Sequence, residues 1–539
     1  MKVVVIGSGP SGLHFAATAL QRGQAVMLVD IGNSGPAVPA PQSRYADLKR
    51  DLPDPVGYFL GKDFEGIEVP LDDGESEYYR LPPSKNHVFA RPDSFVMATD
   101  GITPLASFGQ GGLAECWTAG AYPFNDHDLA AFPFGYDELA PYYATVAERI
   151  GVGGRGDDLA PYFPVHAHLR APVALNESSA RLLAAYDAQR ASLHARHKAR
   201  LGRSRQAALS SDMDGRGGCF QCGRCLWGCP NGALYTPSIT LRALRQDPRF
   251  TYLGGRYASH FLLSGHDTIR ALHVHPAGGG AAEEIGGDVF VLACGAIGSS
   301  ALFLRTHWFA RREILVLDGL MDNRQVLAPF FNIAMLGRQG DPASYQYHQL
   351  AVGLETVEPA HYVHGQITMF TTGAAHPVIQ QLPLGLQQAR KVFRELRSGL
   401  GVLNLNFHDD RRAGNHITLN PAAPDASGGP ALSLRYRPRP DEDRAIRDAL
   451  RPLRKFFRDL GAPIIPGMTK LRPMGASVHY AGTLPMSAER KPLTVSPTGQ
   501  SHDLANLYVA DGAAFPFLPA KNLTFSLMAL ATRVAARLF

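Results

Sequence analysis

The sequence predicts an α/β fold (α+β overall), and three stretches carry that prediction. The N-terminus, KVVVIGSGPSGLHFAATALQRGQAVMLVD, reads as strand, glycine-rich turn, helix and second strand. Another strand, turn and helix start follows in DVFVLACGAIGSSALFL, and the chain closes on strand, loop and helix in LANLYVADGAAFPFLPAKNLTFSLMALATRVAARLF. Together they are the parts of a Rossmann-like sheet.

Val3 to Ile6 is a β-branched run suited to a parallel strand buried on both faces. Gly7, Gly9 and Gly12 form GxGxxG at the strand-to-helix turn, and Asp30 ends the second strand 18 positions after Gly12. A lone GxGxxG is weak evidence. A strand before it, a helix after it and an acid at that distance make it a dinucleotide site. Gly7 permits the tight turn, Gly9 lets a pyrophosphate approach the backbone, and Gly12 allows close helix–strand packing. The helix N-terminus stabilises the phosphates.

Residues 33 to 100 are rich in Pro, Gly, Asp and Ser and read as loops and short strands. A second glycine-rich stretch covers Ser107 to Phe124. Tyr136 to Ile150 has apolar residues at helical spacing, with Gly151 as the stop. Residues 311 to 475 alternate strand-like stretches with one helix around Asp441 to Leu460.

A chain of 539 residues can form two or more domains. Its 45% hydrophobic and 19% charged content marks it as globular rather than disordered. A net charge of +5 over this length does not point to nucleic acid. The densest basic run, Arg190 to Arg205, reads as a solvated helix face or loop, with a docking surface for an anionic partner as the second reading. Met1 and Lys2 lead straight into the first strand, without the pattern of a secretion signal. No apolar run reaches the roughly 18–20 residues of a membrane span. A cytoplasmic, soluble protein is expected.

Four of the six cysteines, Cys219, Cys222, Cys225 and Cys229, fall in CFQCGRCLWGCP, spaced two, two and three residues apart and followed by proline. Bacterial ferredoxins use that run to hold an iron–sulfur cluster. A secreted disulfide scaffold would spread its cysteines. Disulfides, a reduced structural knot and zinc stay open beside the cluster, although zinc prefers two separated pairs. Cys116 and Cys294 stand alone, and Cys294 reads as a packing residue.

Taken in order, the GxGxxG with Asp30, GQGG…W, YDELAPYY, VLACGAIGS and VADGAAFPFLPAKNLTFSLMALA are similar to the motifs of one family. The chain resembles the glucose–methanol–choline (GMC) flavin-dependent alcohol oxidoreductases. The resemblance implies an FAD-binding domain built from discontinuous segments, 1–310 and 479–539, with a cysteine-rich insertion at about 212–236. It also implies a substrate domain, 311–478, on a mainly antiparallel sheet. The cysteine run is most similar to the branch of the bacterial FAD-dependent glucose dehydrogenase catalytic subunit, which carries an iron–sulfur cluster there. Aligned at the terminal Cys-Pro, Cys219, Cys225 and Cys229 match its three cysteines and Cys222 is extra. Three ligands would suit a 3Fe–4S cluster and four a 4Fe–4S cluster. Such a cluster would lead electrons outward to an acceptor protein, which favours a dehydrogenase over an oxidase.

For the chemistry, the resemblance implies a histidine opening the C-terminal catalytic segment and a second His or Asn further on. GASVHYAGTLPM supplies His479, and PAKNLTFSL supplies Asn522, 43 residues later. A histidine suits removal of the hydroxyl proton as hydride leaves for the flavin N5. Asn522 would hydrogen-bond the substrate oxygen. Cofactor contacts are expected from Gly7, Gly9, Gly12, Asp30, Gly111, Gly112, Cys116, Ala258, Asp511, Gly512, Leu523 and Thr524. Cys116 stands where some relatives carry a histidine bonded covalently to flavin. A cysteinyl link is one reading and a small buried side chain the plain one. Helix capping is the plain reading of the 522–524 loop. The family's NLMDH element appears as GLMDN, Gly319 to Asn323, so no role is carried over from its histidine. Tyr347, His348, Gln366, Asn406 and His408 are candidates for the pocket wall.

The implied function is oxidation of a hydroxyl on a sugar or sugar-like polyol, such as a glycoside or aminocyclitol, to a carbonyl. An oxygen-using oxidase and a dehydrogenase of an apolar alcohol are the near alternatives. A non-catalytic flavin and cluster relay is the alternative of another class.

Overall fold

The computed structural model describes residues 1–35, 42–64, 82–340, 343–370, 383–425 and 429–539. Its first core is the α/β unit that the glycine motif announces. β1 (Lys2–Ile6), α1 (Pro10–Gln21) and β2 (Ala25–Val29) form the expected βαβ unit. They lie in a five-stranded parallel sheet, ordered Leu507–Val509, Val289–Leu292, β1, β2, Phe250–Leu253. Val3, Val4 and Val5 are wholly buried, as a strand covered on both faces requires. Strands from distant parts of the chain thus complete one sheet around the N-terminal motif.

The second core is a six-stranded antiparallel sheet. Its order is Lys470–Leu471, Gln325–Phe331, Leu400–Asn406, Val363–Met369, Leu350–Leu354, Ala199–Arg203. Successive side chains of a strand face opposite ways, and here each face has its own task. Val326, Ala328, Phe330, Leu403 and Leu405 enter a core shared with the helices Glu177–Asp187, Arg190–His197 and Glu442–Asp459. Their neighbours Gln325, Leu327, Pro329, Val402 and Asn404 line a large cavity.

Several expectations meet the structure directly. The helix Tyr136–Ile150 ends at Gly151, whose φ of 71° suits glycine. The helix expected near Asp441 to Leu460 spans Glu442–Asp459. Between residues 33 and 100 there is more helix than expected: Leu48–Asp51, Pro55–Leu60 and a 3₁₀ turn at Pro83–Val88, besides the strand Met97–Asp100. Asp and Pro act there as helix starters. Asp54 accepts from Gly57 N at 2.9 Å, and Pro55 follows it.

The basic run is corrected in its second half. Arg190–His197 is a helix, but Ala199–Arg203 is an edge strand of the six-stranded sheet. Leu201, Arg203 and Arg205 are buried, and the two guanidiniums donate to the carbonyls of Val173 and Arg155. Charge alone marked these arginines as solvated, whereas strand pairing pulls them inside. Residues 177–203, expected with the first domain, pack in the second core. A further helix, Leu386–Leu396, occupies a stretch read as strand, with Ala389 and Phe393 buried four residues apart. Among the described residues no helix is long and apolar enough to cross a membrane.

Candidate active site

One cavity of about 1640 Å³ is lined by both cores. Its first half surrounds the glycine turn. Gly7 takes a φ of 105° and leaves no room for a Cβ beside the Ala293 carbonyl. A Cβ at Gly12 would overlap the Gly7 carbonyl oxygen, so Gly12 serves the packing of α1 on the turn. Gly9, at the start of α1, meets nothing closer than 4.0 Å and faces the cavity. Asp30 and Asp511 also line it, and burial pushes each carboxyl up to about 6. Asp511 is held by Ser299 Oγ at 2.5 Å and Ala513 N at 3.0 Å.

Of the residues expected to contact a cofactor, Gly112, Cys116, Ala258, Gly512, Leu523 and Thr524 also line the cavity, whereas Gly12 and Gly111 do not. Gly12 lies beneath the turn. Gly111 acts through its backbone, donating to Ser8 Oγ at 2.9 Å, and Ser8 Oγ in turn donates to Asp30. That chain fastens the second glycine-rich stretch onto the first. Burial pushes the Cys116 thiol up to about 12, so it stands protonated, unlike the thiolate that a flavin link needs.

The other half of the cavity brings His479 and Asn522 together. His479 is buried, and its Nε2 faces Asn522 Nδ2 at 3.5 Å. Its Nδ1 contacts Asn323 Oδ1 at 2.9 Å, and its backbone N donates to Ser477 Oγ at 3.0 Å. Ser477 Oγ donates to Asp322 Oδ1, and Gly475 N donates to Asp322 Oδ2 at 2.5 Å. Burial, with the Arg472 charge adding to it, pushes the imidazole down to about 4. His479 is therefore neutral at ordinary pH. Val478, immediately before it, takes a φ of 57°. For a β-branched residue that is strained, and such strain persists only where surrounding contacts over-determine the backbone. The Asp322–Ser477 contacts supply that hold.

Asn522 Oδ1 accepts from Gln366 Nε2. The helix Thr524–Leu538 begins at Leu523 without a side-chain cap, so Asn522 is spent on the site rather than on capping. Gly120 leaves space beside it, since a Cβ there would stand 3.1 Å from Asn522 Cγ. His348 lines the cavity and hydrogen-bonds Thr118 Oγ1 through Nε2 at 2.7 Å. Burial pushes it down to about 4 as well.

Of the expected wall residues, Tyr347, His348 and Gln366 line the cavity, and Asn406 and His408 do not. Asn406 Oδ1 is taken by Gln325 Nε2 at 2.7 Å, and Asn404 on the same strand faces the cavity instead. His408 lies with His361 and Asp410, whose ligand-type atoms converge within 4.8 Å. The two imidazoles stack at 3.7 Å and 5°. Their lone pairs therefore lie in separate parallel planes, which suits a shared ion poorly. Sequence reasoning missed Asn323, Ser477 and Asp322. The altered GLMDN element was the one local signal that pointed near them.

Residues 411–531, which include His479 and Asp511, match the family model described as GMC oxidoreductase. The chain carries the C-terminal domain of the GMC oxidoreductases and is an FAD-dependent alcohol oxidoreductase. It is 24% identical to a 2-methyl-1,2-propanediol dehydrogenase of Mycolicibacterium austroafricanum, over 98% of this chain and 94% of the relative. It is also 24% identical to a paromamine 6'-oxidase of Streptomyces fradiae, over 99% and 90%. Its fold is similar to the crystal structure of a pyridoxine 4-oxidase from Mesorbium loti, with a TM-score of 0.61, 15% identity and 99% and 98% of the two chains covered.

Alcohol oxidoreductases of this class use FAD, and the cavity has the donor set for the group. The open face of Gly9 and the N-terminus of α1 suit a pyrophosphate. The Asp30 carboxyl suits a ribose hydroxyl.

The four clustered cysteines line one small pocket, apart from the large cavity, with Phe220, Tyr345 and others. None is in a disulfide. Each sulfur accepts a backbone N–H: Cys219 from Gln221, Cys222 from Arg224, Cys225 from Gln346 at 3.4 Å, and Cys229 from Leu234 at 3.5 Å. Burial pushes the Cys225 thiol well up and the Cys219 thiol up to about 11.

Proposed function

We propose that this enzyme oxidises a hydroxyl group of a sugar or sugar-like polyol to a carbonyl, with His479 as the base. The observation that carries the proposal is the pair of His479 Nε2 and Asn522 Nδ2, 3.5 Å apart at the wall of the large cavity. Bound FAD would supply the acceptor for the hydride. His479, neutral through burial, takes the hydroxyl proton at Nε2. Gln366 donates to Asn522 Oδ1 and so turns Nδ2 toward the substrate oxygen, where it donates a hydrogen bond. The wall near this pair includes Gln325, Gln366 and Asn404, groups that can exchange hydrogen bonds with further hydroxyls. The relatives that are a diol dehydrogenase and a paromamine oxidase agree with a polyol substrate.

The apolar part of the lining favours a second reading. Phe370, Val392, Phe393, Leu396 and Leu400 line the cavity on the side of the Leu386–Leu396 helix. They suit the apolar body of a glycoside aglycone or of a simple apolar alcohol. Anaerobic flavin bleaching with glucose, methyl glucosides, vicinal diols and long-chain alcohols separates the two readings. Fast bleaching by the sugars or diols supports the polyol, and bleaching by long-chain alcohols alone refutes it. Peroxide yield in air then separates oxidase from dehydrogenase. Flavin that no alcohol bleaches, in a protein whose His479→Ala variant still exchanges electrons with redox dyes at the wild-type rate, would leave a mere electron relay.

Cys219, Cys222, Cys225 and Cys229 fit an iron–sulfur cluster better than zinc. Their spacing of two, two and three residues with a proline after the last is that of a cluster run, whereas zinc prefers two separated pairs. Backbone N–H groups on all four sulfurs suit the anionic sulfurs of a cluster. A cluster would supply one-electron storage. Iron and acid-labile sulfide, assayed in protein purified without oxygen, test this. About three or four irons per flavin are expected, falling in a Cys225→Ser variant. Flavin-replete protein without iron would overturn the proposal and favour an oxygen-using oxidase.

A further inference from the structure

We propose that Asn323 is a positioning residue that fixes the tautomer of His479 and ties the two catalytic segments together. The inference rests on the reading of His479 as the base. Asn323 Nδ2 donates to two backbone carbonyls, Phe407 O at 2.7 Å and Pro519 O at 3.0 Å. Carbonyl oxygens only accept, so the amide cannot be turned over without losing both bonds. Oδ1 is thereby left facing His479 Nδ1 at 2.9 Å, where it can only accept. The imidazole must carry its proton on Nδ1, which leaves the lone pair of Nε2 toward Asn522 and the cavity.

The same side chain couples the segments. Pro519 belongs to the loop that delivers Asn522, so Asn323 touches the base directly and the loop of its partner by a second bond. Asp322, its neighbour, holds the backbone of the base through Ser477 Oγ and Gly475 N. Two consecutive residues thus fix the ring of His479 and the chain that bears it.

The choice of an amide over a carboxylate also matters. A carboxylate against Nδ1 would favour the imidazolium and fill the Nε2 lone pair at higher pH. An amide orients the ring without adding charge. The charged and titratable groups facing the ring are Arg472, His364 and, through Ser477, Asp322. Arg472 opposes protonation, and the neutral amide leaves that bias intact.

Neutron diffraction from crystals of the FAD-loaded enzyme, exchanged into heavy water, tests the tautomer without needing a substrate. Deuterium on His479 Nδ1 and none on Nε2 is expected, and the reverse pattern overturns the inference. The kinetic test is an Asn323→Asp variant assayed with the panel alcohol that bleaches the flavin fastest. The acid limb of its kcat/KM profile should rise by at least about one pH unit, a tenfold change in proton affinity. A limb that stays in place, with turnover lowered equally at every pH, would mean a structural role only. In that case an inactive His479→Ala variant leaves the base reading standing. A His479→Ala variant with wild-type turnover removes the base reading itself and this inference with it.

Discussion

Lys521 and Asp128 form a buried ion pair, 393 residues apart in the chain, directly before Asn522, the proposed partner of the base. Lys521 Nζ also donates to Pro123 O at 3.1 Å and to Tyr162 O, so its three protons are all engaged. A buried charge survives only when paired and hydrogen-bonded. The pair therefore anchors the loop from which Asn522 reaches His479.

Removing one partner should cost more than removing both. A Lys521→Met variant leaves Asp128 buried without its cation, and urea unfolding should show a loss of about 3–5 kcal/mol. The double variant Lys521→Met, Asp128→Leu should recover part of that loss. Equal losses in the single and double variants would count against the anchoring role.

The glycine turn allows a sharper separation of folding from binding. Gly9→Ala adds a methyl to open space at the cavity wall, so the apoprotein should melt close to wild type while flavin affinity falls. Gly12→Ala drives a methyl into the Gly7 carbonyl, so stability should fall as well. Differential scanning calorimetry of the apoproteins and flavin titration check both. Full flavin affinity in Gly9→Ala would place the pyrophosphate elsewhere.

His479→Ala should lower turnover by about 10²–10⁴-fold, the usual reach of general-base catalysis, with flavin occupancy unchanged. In the wild type, burial holds the imidazole down near 4. The base is then ready above that pH, and the acid limb of kcat/KM should lie well below 6.5. A limb at the unperturbed histidine value, about 6.5, would mean that the ring is exposed to water.

Buried His348, also pushed down to about 4, links pH to stability. Its unfolded form takes up a proton near 6.5 and its folded form only near 4, so the unfolded state binds more protons in between. The stability it contributes is full above about 6.5 and is lost as pH falls toward 4. Asp322, raised by burial to about 7, acts in the opposite sense and stabilises as pH falls. The difference isolates the histidine: His348→Gln should lose less stability than wild type between pH 7 and pH 5 in urea unfolding. Equal losses in the two proteins would show His348 to be exposed.

The sequence by itself determined the parts whose causes are local. The buried strand at Val3–Ile6, the glycine turn, Asp30 at a strand end, and the helices ending at Gly151 and spanning Glu442–Asp459 follow from periodicity, caps and backbone sterics acting over a few residues. His479 and Asn522 were legible through their family motifs, and the four cysteines through their spacing. The tertiary structure alone decided what surrounds them. Asn323 meets His479 across 156 residues, and Gln366, on a strand that lines the cavity, meets Asn522 across another 156. Pairing of Ala199–Arg203 with Leu350–Leu354 buried Arg203, and Arg205 follows it inside to donate to the Arg155 carbonyl, although charge placed both in solvent. Local preferences fix which face of an element is apolar. Only the packing of one element against another fixes which distant side chain that face will meet.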